Sequence, residues 1–157
     1  MPSVATIATK INGFVLDTPK LDKHEHIQID KLGTPTPQNQ QWTIVSHSDV
    51  PSVPDGYVMI YAGDESSKLL CIDIPRSSTK ERTLVQLYPA DGPGGHPNQQ
   101  WKLKPIGTEG YVYIASALDN DLVLDVRGGE GAAGTKVEIY KRGDKKPNQM
   151  WILNPVA

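Results

Sequence analysis

The chain has no cysteine pair. Cys71 is the only cysteine in 157 residues, so an internal disulfide framework is excluded. There is no apolar run of transmembrane length, and Met1-Pro2-Ser3 does not open a signal peptide. Together these features suit a reducing cytosol, with export by an unconventional route left open. The chain also lacks a charge excess. A net charge of −2 gives no electrostatic case for nucleic acid or for an anionic membrane. No Gly-x-Ser-x-Gly elbow, phosphate loop or paired-cysteine motif is present. His24 and His26 form a two-residue pair with no identifiable third ligand, so no metal site is expected. No cofactor and no catalysis are expected either. Finally, no stretch sustains a helical period, and 13 prolines with 14 glycines call for many turns.

What is present is repetition. Asn39-Gln40-Gln41-Trp42 returns as Asn98-Gln99-Gln100-Trp101 and as Asn148-Gln149-Met150-Trp151, and these contain all 3 tryptophans. A signature recurring at such intervals marks copies of one supersecondary unit. Around each copy lie short strand-like segments. His26-Ile27-Gln28-Ile29-Asp30 alternates with period two, placing Ile27 and Ile29 on one face and Gln28 and Asp30 on the other. Phe14–Asp17, Tyr57–Tyr61, Leu69–Ile74, Leu84–Tyr88, Tyr111–Ile114, Leu122–Val126 and Lys136–Tyr140 read as further strands. Three units of about four strands follow, over roughly 1–46, 47–105 and 106–157, in one domain spanning 1–157. None could bury its apolar face alone, so the expectation is an all-β fold, one closed barrel with pseudo-threefold symmetry. Each Trp and the Gln two positions before it are expected to share a strand face as core and scaffold.

The aligned units resemble the ricin B-type (R-type) lectin family. The resemblance is carried by Leu124-Asp125-Val126, a glycine-rich turn, Val137-Glu138-Ile139-Tyr140 and Asn148-Gln149-Met150-Trp151. It is carried again by Ile72-Asp73-Ile74, Val85-Gln86-Leu87-Tyr88 and Asn98-Gln99-Gln100-Trp101. It implies a β-trefoil of three pseudo-symmetric four-strand repeats, and a shallow sugar site in which Asp, an aromatic and Asn meet the ligand with Gln in support. The residue types suit that task. A carboxylate accepts from sugar hydroxyls, an aromatic face covers the apolar C–H patch of galactose-type pyranoses, and nothing in the set needs to react.

Carried over residue by residue, the second unit offers Asp73, Gln86, Tyr88, Asn98 and Gln99. The third offers Asp125, Tyr140, Asn148 and Gln149, with Glu138 where the family prefers Gln. The first offers Asp17, Gln28, Asn39 and Gln40 but departs twice. Its Asp-to-Gln spacing is 11 residues where the other units have 13, and Asp30 occupies the aromatic position. A weak or lost site is expected there. Secreted relatives bridge the residues at positions 71 and 90; here these are Cys71 and Ala90, so the chain looks like a cytoplasmic fungal member. The resemblance implies a multivalent lectin for glycans ending in galactose or N-acetylgalactosamine, with a role in defence by analogy and a homodimer allowed. The alternatives are a protein-binding trefoil such as a protease inhibitor, or the sugar-targeting module of a glycoside hydrolase. A start at Met1 and an end soon after Trp151 favour a stand-alone protein over the last.

Overall fold

The computed structural model describes residues 2–64 and 70–156. Leu69, assigned to a strand above, lies outside them. Six strands close a ring: β1 (Ser3–Thr9), β4 (Trp42–Ser46), β5 (Val58–Ala62), β8 (Trp101–Ile106), β9 (Tyr111–Ser116) and β12 (Trp151–Pro155). Each pairs antiparallel with the next, and β12 returns to β1 through Ala5↔Pro155 to Thr9↔Trp151. Closure leaves no unpaired edge in the barrel. β1 carried no individual signal in the sequence, yet it is the strand that completes the ring.

Three hairpins cap one end: β2 (Val15–Asp17) with β3 (Gln28–Asp30), β6 (Leu70–Asp73) with β7 (Gln86–Pro89), and β10 (Leu122–Val126) with β11 (Val137–Lys141). Single bridges tie them into a triangle, His26 to Gln86, Leu84 to Glu138, and Lys136 to Gln28. This is a β-trefoil, as the repeats imply. Strand ends differ from the sequence reading by a residue or two.

The core lies where barrel and cap meet. Trp42, Trp101 and Trp151 are fully buried there, packed with Ile7, Leu16, Ile29, Ile72, Leu87, Ile114, Leu124 and Ile139. Each indole N–H donates 3.1 Å to a carbonyl of its own cap hairpin, Leu16, Ile72 or Leu124. One part of the sequence reading is corrected. Gln40, Gln99 and Gln149 do not share a strand face with the Trp that follows. They end 3₁₀ turns at Gln38–Gln40, Pro97–Gln99 and Pro147–Gln149, and the Trp opens the next strand. A proline at or just before the start of each turn supplies no amide hydrogen for a ladder and fixes φ, which holds the chain off the sheet.

Cys71 is buried beside Val45, Val53 and Met59, with Ala90 packed against the cluster. Burial pushes its thiol far above the usual range, so it behaves as a small apolar side chain.

Candidate functional site

Hairpin register brings the predicted residues together. Asp17 lies opposite Gln28, Asp73 opposite Gln86, and Asp125 opposite Glu138. The shorter spacing in the first unit is thus absorbed entirely by the loop, and the pairing is unchanged. The 3₁₀ turn then delivers Asn and Gln to the same carboxylate. Asp73 accepts from Gln86 at Oδ1 (3.0 Å) and from Asn98 (3.1 Å) and Gln99 (2.9 Å) at Oδ2. Asp17 repeats this with Gln28 (3.0 Å), Asn39 (3.3 Å) and Gln40 (2.9 Å). Gln99 also donates to the Pro89 carbonyl and accepts from the Asp91 amide, locking the loop after β7. Gln40 and Gln149 do the same in their own units.

Burial sets what each residue can do. Asp17, Asp73 and Asp125 are only 4%, 3% and 3% exposed, and Gln99 and Gln149 are fully buried. The glutamines therefore hold the carboxylate from behind. A carboxylate has about four acceptor positions, and Oδ2 of Asp73 already takes two donors. Only Oδ1 of Asp73 retains capacity, so an incoming hydroxyl meets one oxygen and not a fork. Asn98, Asn148, Tyr88 and Tyr140 are half-buried and face the surface.

Depressions lie above the second and third networks, and at all three networks part of the surround comes from the preceding unit. The amide of His24 donates to the Leu87 carbonyl, that of Arg82 to Ile139, and that of Gly134 to Ile29. All three have a left-handed backbone, with φ of 72°, 72° and 87°. The acceptor each time is the residue before the aromatic position, so the neighbour's residue arrives beside Tyr88, Tyr140 or Asp30. The His24 ring sits 5.3 Å from the Tyr88 ring, with Nδ1 3.3 Å from Gln86 Oε1, and Lys23 Nζ is 4.9 Å from the Tyr88 centroid. Arg82 Cζ lies 6.0 Å from the Tyr140 centroid. At the first unit Gly134 brings no side chain, and Asp30 offers no stacking face.

The third depression is chemically distinct. Glu138 cannot donate to Asp125 as Gln86 does to Asp73. It pairs instead with Arg127, Nε to Oε1 at 2.8 Å, and Arg127 also donates to the Arg82 carbonyl. Asp125 keeps Asn148 (3.1 Å) and Gln149 (2.9 Å), both on Oδ2. Burial pushes its carboxyl up to about 6; the Gln149 and Asn148 bonds oppose this, and the Glu138 charge adds to it. A raised carboxyl favours the fold at low pH, and that contribution is lost as pH rises through about 6. A ligand hydroxyl that needs the ionised form is correspondingly lost as pH falls through the same value. Glu138→Gln removes the like charge and supplies the missing donor. In that variant the Asp125 titration, followed by carboxyl-carbon NMR, is expected to move down toward the ordinary carboxylate range. Any ligand that needs the ionised Asp125 should then be held to a lower pH than on the unchanged chain. An unmoved titration would remove Glu138 from the account.

The sequence thus anticipated Asp73, Gln86, Tyr88, Asn98, Asp125, Glu138, Tyr140 and Asn148 at two depressions, and the structure gathers them there. Asp17, Gln28, Asn39 and Gln40 are gathered too, around a network with no aromatic. What the sequence reading missed is the rim: His24, His26 and Arg76 at the second depression, Arg82, Arg127 and Lys146 at the third. In sequence Arg127 lies in the glycine-rich turn after Val126, and His24 and His26 form a pair without a third ligand. Superposing the units and then stepping to the neighbour would have found His24, His26 and Arg82. Among the described residues no group of three or more His, Cys, Asp or Glu is placed to hold a metal.

Barrel, cap and a thrice-built polar network define the class of the molecule as a β-trefoil of the lectin type. Residues 38–140 match the family described as ricin-type β-trefoil lectin domain-like, and the chain belongs to that family. Among solved structures it is similar to a designed 3-fold symmetric protein, ThreeFoil (24% identity, 96% of this chain and 97% of that one, TM-score 0.81). It is similar to an exo-β-1,3-galactanase from Clostridium thermocellum (26% identity, TM-score 0.82). There the match covers 98% of this chain but 30% of the enzyme. It is also similar to the C-half of an earthworm R-type lectin in complex with GalNAc (24% identity, 98% and 99% covered, TM-score 0.66). A comparison with curated proteins gives no match.

Proposed function

We propose that the chain binds glycans ending in galactose or N-acetylgalactosamine, without turnover, through the depressions of its second and third units. The observation that carries this is the recurrence of one arrangement: a buried carboxylate whose Oδ1 retains acceptor capacity, a half-buried Tyr and an amide from Asn. The Tyr suits the C–H face of the sugar, and Asp with Asn suits its hydroxyls. Membership of the lectin-like family supports carbohydrate as the ligand class, and the GalNAc held by the earthworm lectin half supports the sugar. Turnover has little support. The Asp73 carboxylate is held by three amide donors, Glu138 is held by an arginine, and the Cys71 thiol is buried.

A single shallow site of this kind has an affinity near millimolar, about −4 kcal/mol. Two sites on one rigid barrel raise avidity on a multivalent surface by about 10² or more. A glycan array is expected to light up galactose- and N-acetylgalactosamine-terminated structures. No glycan binding at any density, together with inhibition of a protease, would replace this reading by the protein-binding one. The match to under a third of the galactanase favours a second context, in which the same sugar chemistry targets a hydrolase to its substrate.

A further inference from the structure

The two Tyr-bearing depressions share a floor and differ at the rim. In the second, the neighbouring unit presents an imidazole, His24, with the Lys23 ammonium on the same ring, against Tyr88. In the third the equivalent backbone position presents a guanidinium, Arg82, against Tyr140. Arg82, Arg127 and Lys146 all line the third depression. Arg127 is committed to Glu138. For the Arg82 guanidinium and the Lys146 ammonium, no hydrogen bond or ion pair occurs among the described residues, and both side chains are exposed. Three cations therefore surround the two carboxylates Asp125 and Glu138, and both carboxylates lie at the floor, 3% exposed. Negative charge is deep and already engaged, while uncommitted positive charge is at the lip. In the second depression the corresponding floor residue is the neutral Gln86 and Pro75 stands where Arg127 does, so the Glu–Arg pair is found at the third depression and not at the second.

We propose that the residue each unit lends to its neighbour sets that neighbour's preference, and that Arg82 makes the third depression select galactosides carrying an anionic substituent. The anion, a sulfate or a carboxylate, sits at the rim between Arg82 and Lys146 while the pyranose stacks on Tyr140. A guanidinium suits both groups because it donates in a planar fork. This rests on the sugar reading above and adds charge to it.

The test uses the full chain carrying Tyr88→Ala, which weakens the second depression, titrated by NMR with three probes and read at resonances of residues lining the third. These are methyl galactoside, its 6-sulfate, and methyl galacturonoside. Both anionic probes are expected to bind about tenfold more tightly than the neutral one, with the advantage shrinking at high salt. The sulfate and carboxylate arms separate the two sources; an advantage for either supports the proposal. Adding Arg82→Gln should abolish the advantage of the anionic probes over methyl galactoside measured on the same variant, whereas Lys146→Gln should only reduce it. Equal binding of all three probes with Arg82 present, or an advantage that survives Arg82→Gln, overturns the proposal and leaves the sugar reading standing. No binding of any probe to the Tyr88→Ala chain, when the unchanged chain binds galactoside, overturns both for this depression.

Discussion

Trp101→Ala is expected to bring the protein to the edge of unfolding. The indole is fully buried at the junction of barrel and cap, and truncating such a residue costs about 3–5 kcal/mol. A domain of this size has a total stability of about 5–15 kcal/mol, so that is a large share. At 157 residues it corresponds to a fall in melting temperature of roughly 10–15 °C. The loss is not only of volume. Indole Nε1 donates 3.1 Å to the Ile72 carbonyl, one residue before Asp73, so the same side chain positions the carboxylate. Trp101→Phe keeps much of the volume and drops that bond, and should fall between the two at about 1–3 kcal/mol. Urea denaturation of the three proteins checks both. A Trp101→Ala chain as stable as the original would mean that the tryptophan does not hold barrel to cap.

The double variant Tyr88→Ala/Tyr140→Ala is expected to abolish agglutination and leave the fold intact. Each ring is half-buried, and neither hydroxyl makes a hydrogen bond among those of the described residues. Losing the stacking face weakens each site by about 0.5–1.5 kcal/mol, or a few-fold to tenfold. Binding that depends on two near-millimolar sites acting together multiplies those losses, so the multivalent readout collapses. The aspartates look like the obvious targets but are poor ones. Asp73→Ala would strand amide donors of Gln86, Asn98 and Gln99, at about 1–3 kcal/mol for a buried unsatisfied group. Lost binding would then be inseparable from lost structure. Haemagglutination and thermal melting of the double-Tyr chain are the paired measurements. Full agglutination by a folded double variant would remove the tyrosines from the site.

Much of this was legible in the sequence. The three Asn-Gln-x-Trp copies gave the repeat, and period-two alternation gave strands such as Gln28–Asp30, whose Ile29 is fully buried. The pairing of Asp with Gln or Glu was legible because both lie on one hairpin, close in sequence. The extra two residues of spacing in the second and third units proved immaterial, because spacing counts loop residues and pairing does not. The rim was not legible. His24 and Tyr88 are far apart in the chain and meet only once the ring has closed and the cap triangle has formed. Nor does sequence show that Glu138 turns toward Arg127. That choice follows from a buried carboxylate needing a cation when its partner across the hairpin is another carboxylate.

The staggered construction of the depressions, with floor from one unit and part of the rim from the one before, has a consequence for recombination between copies. Exchanging one whole repeat for another would not move a binding specificity as a parcel. It would transplant a floor into one depression and a rim into the next, creating two new combinations at once. Conversely, a point change on a turn such as the one bearing Arg82 can retune the adjoining depression while its own unit's polar network stays untouched.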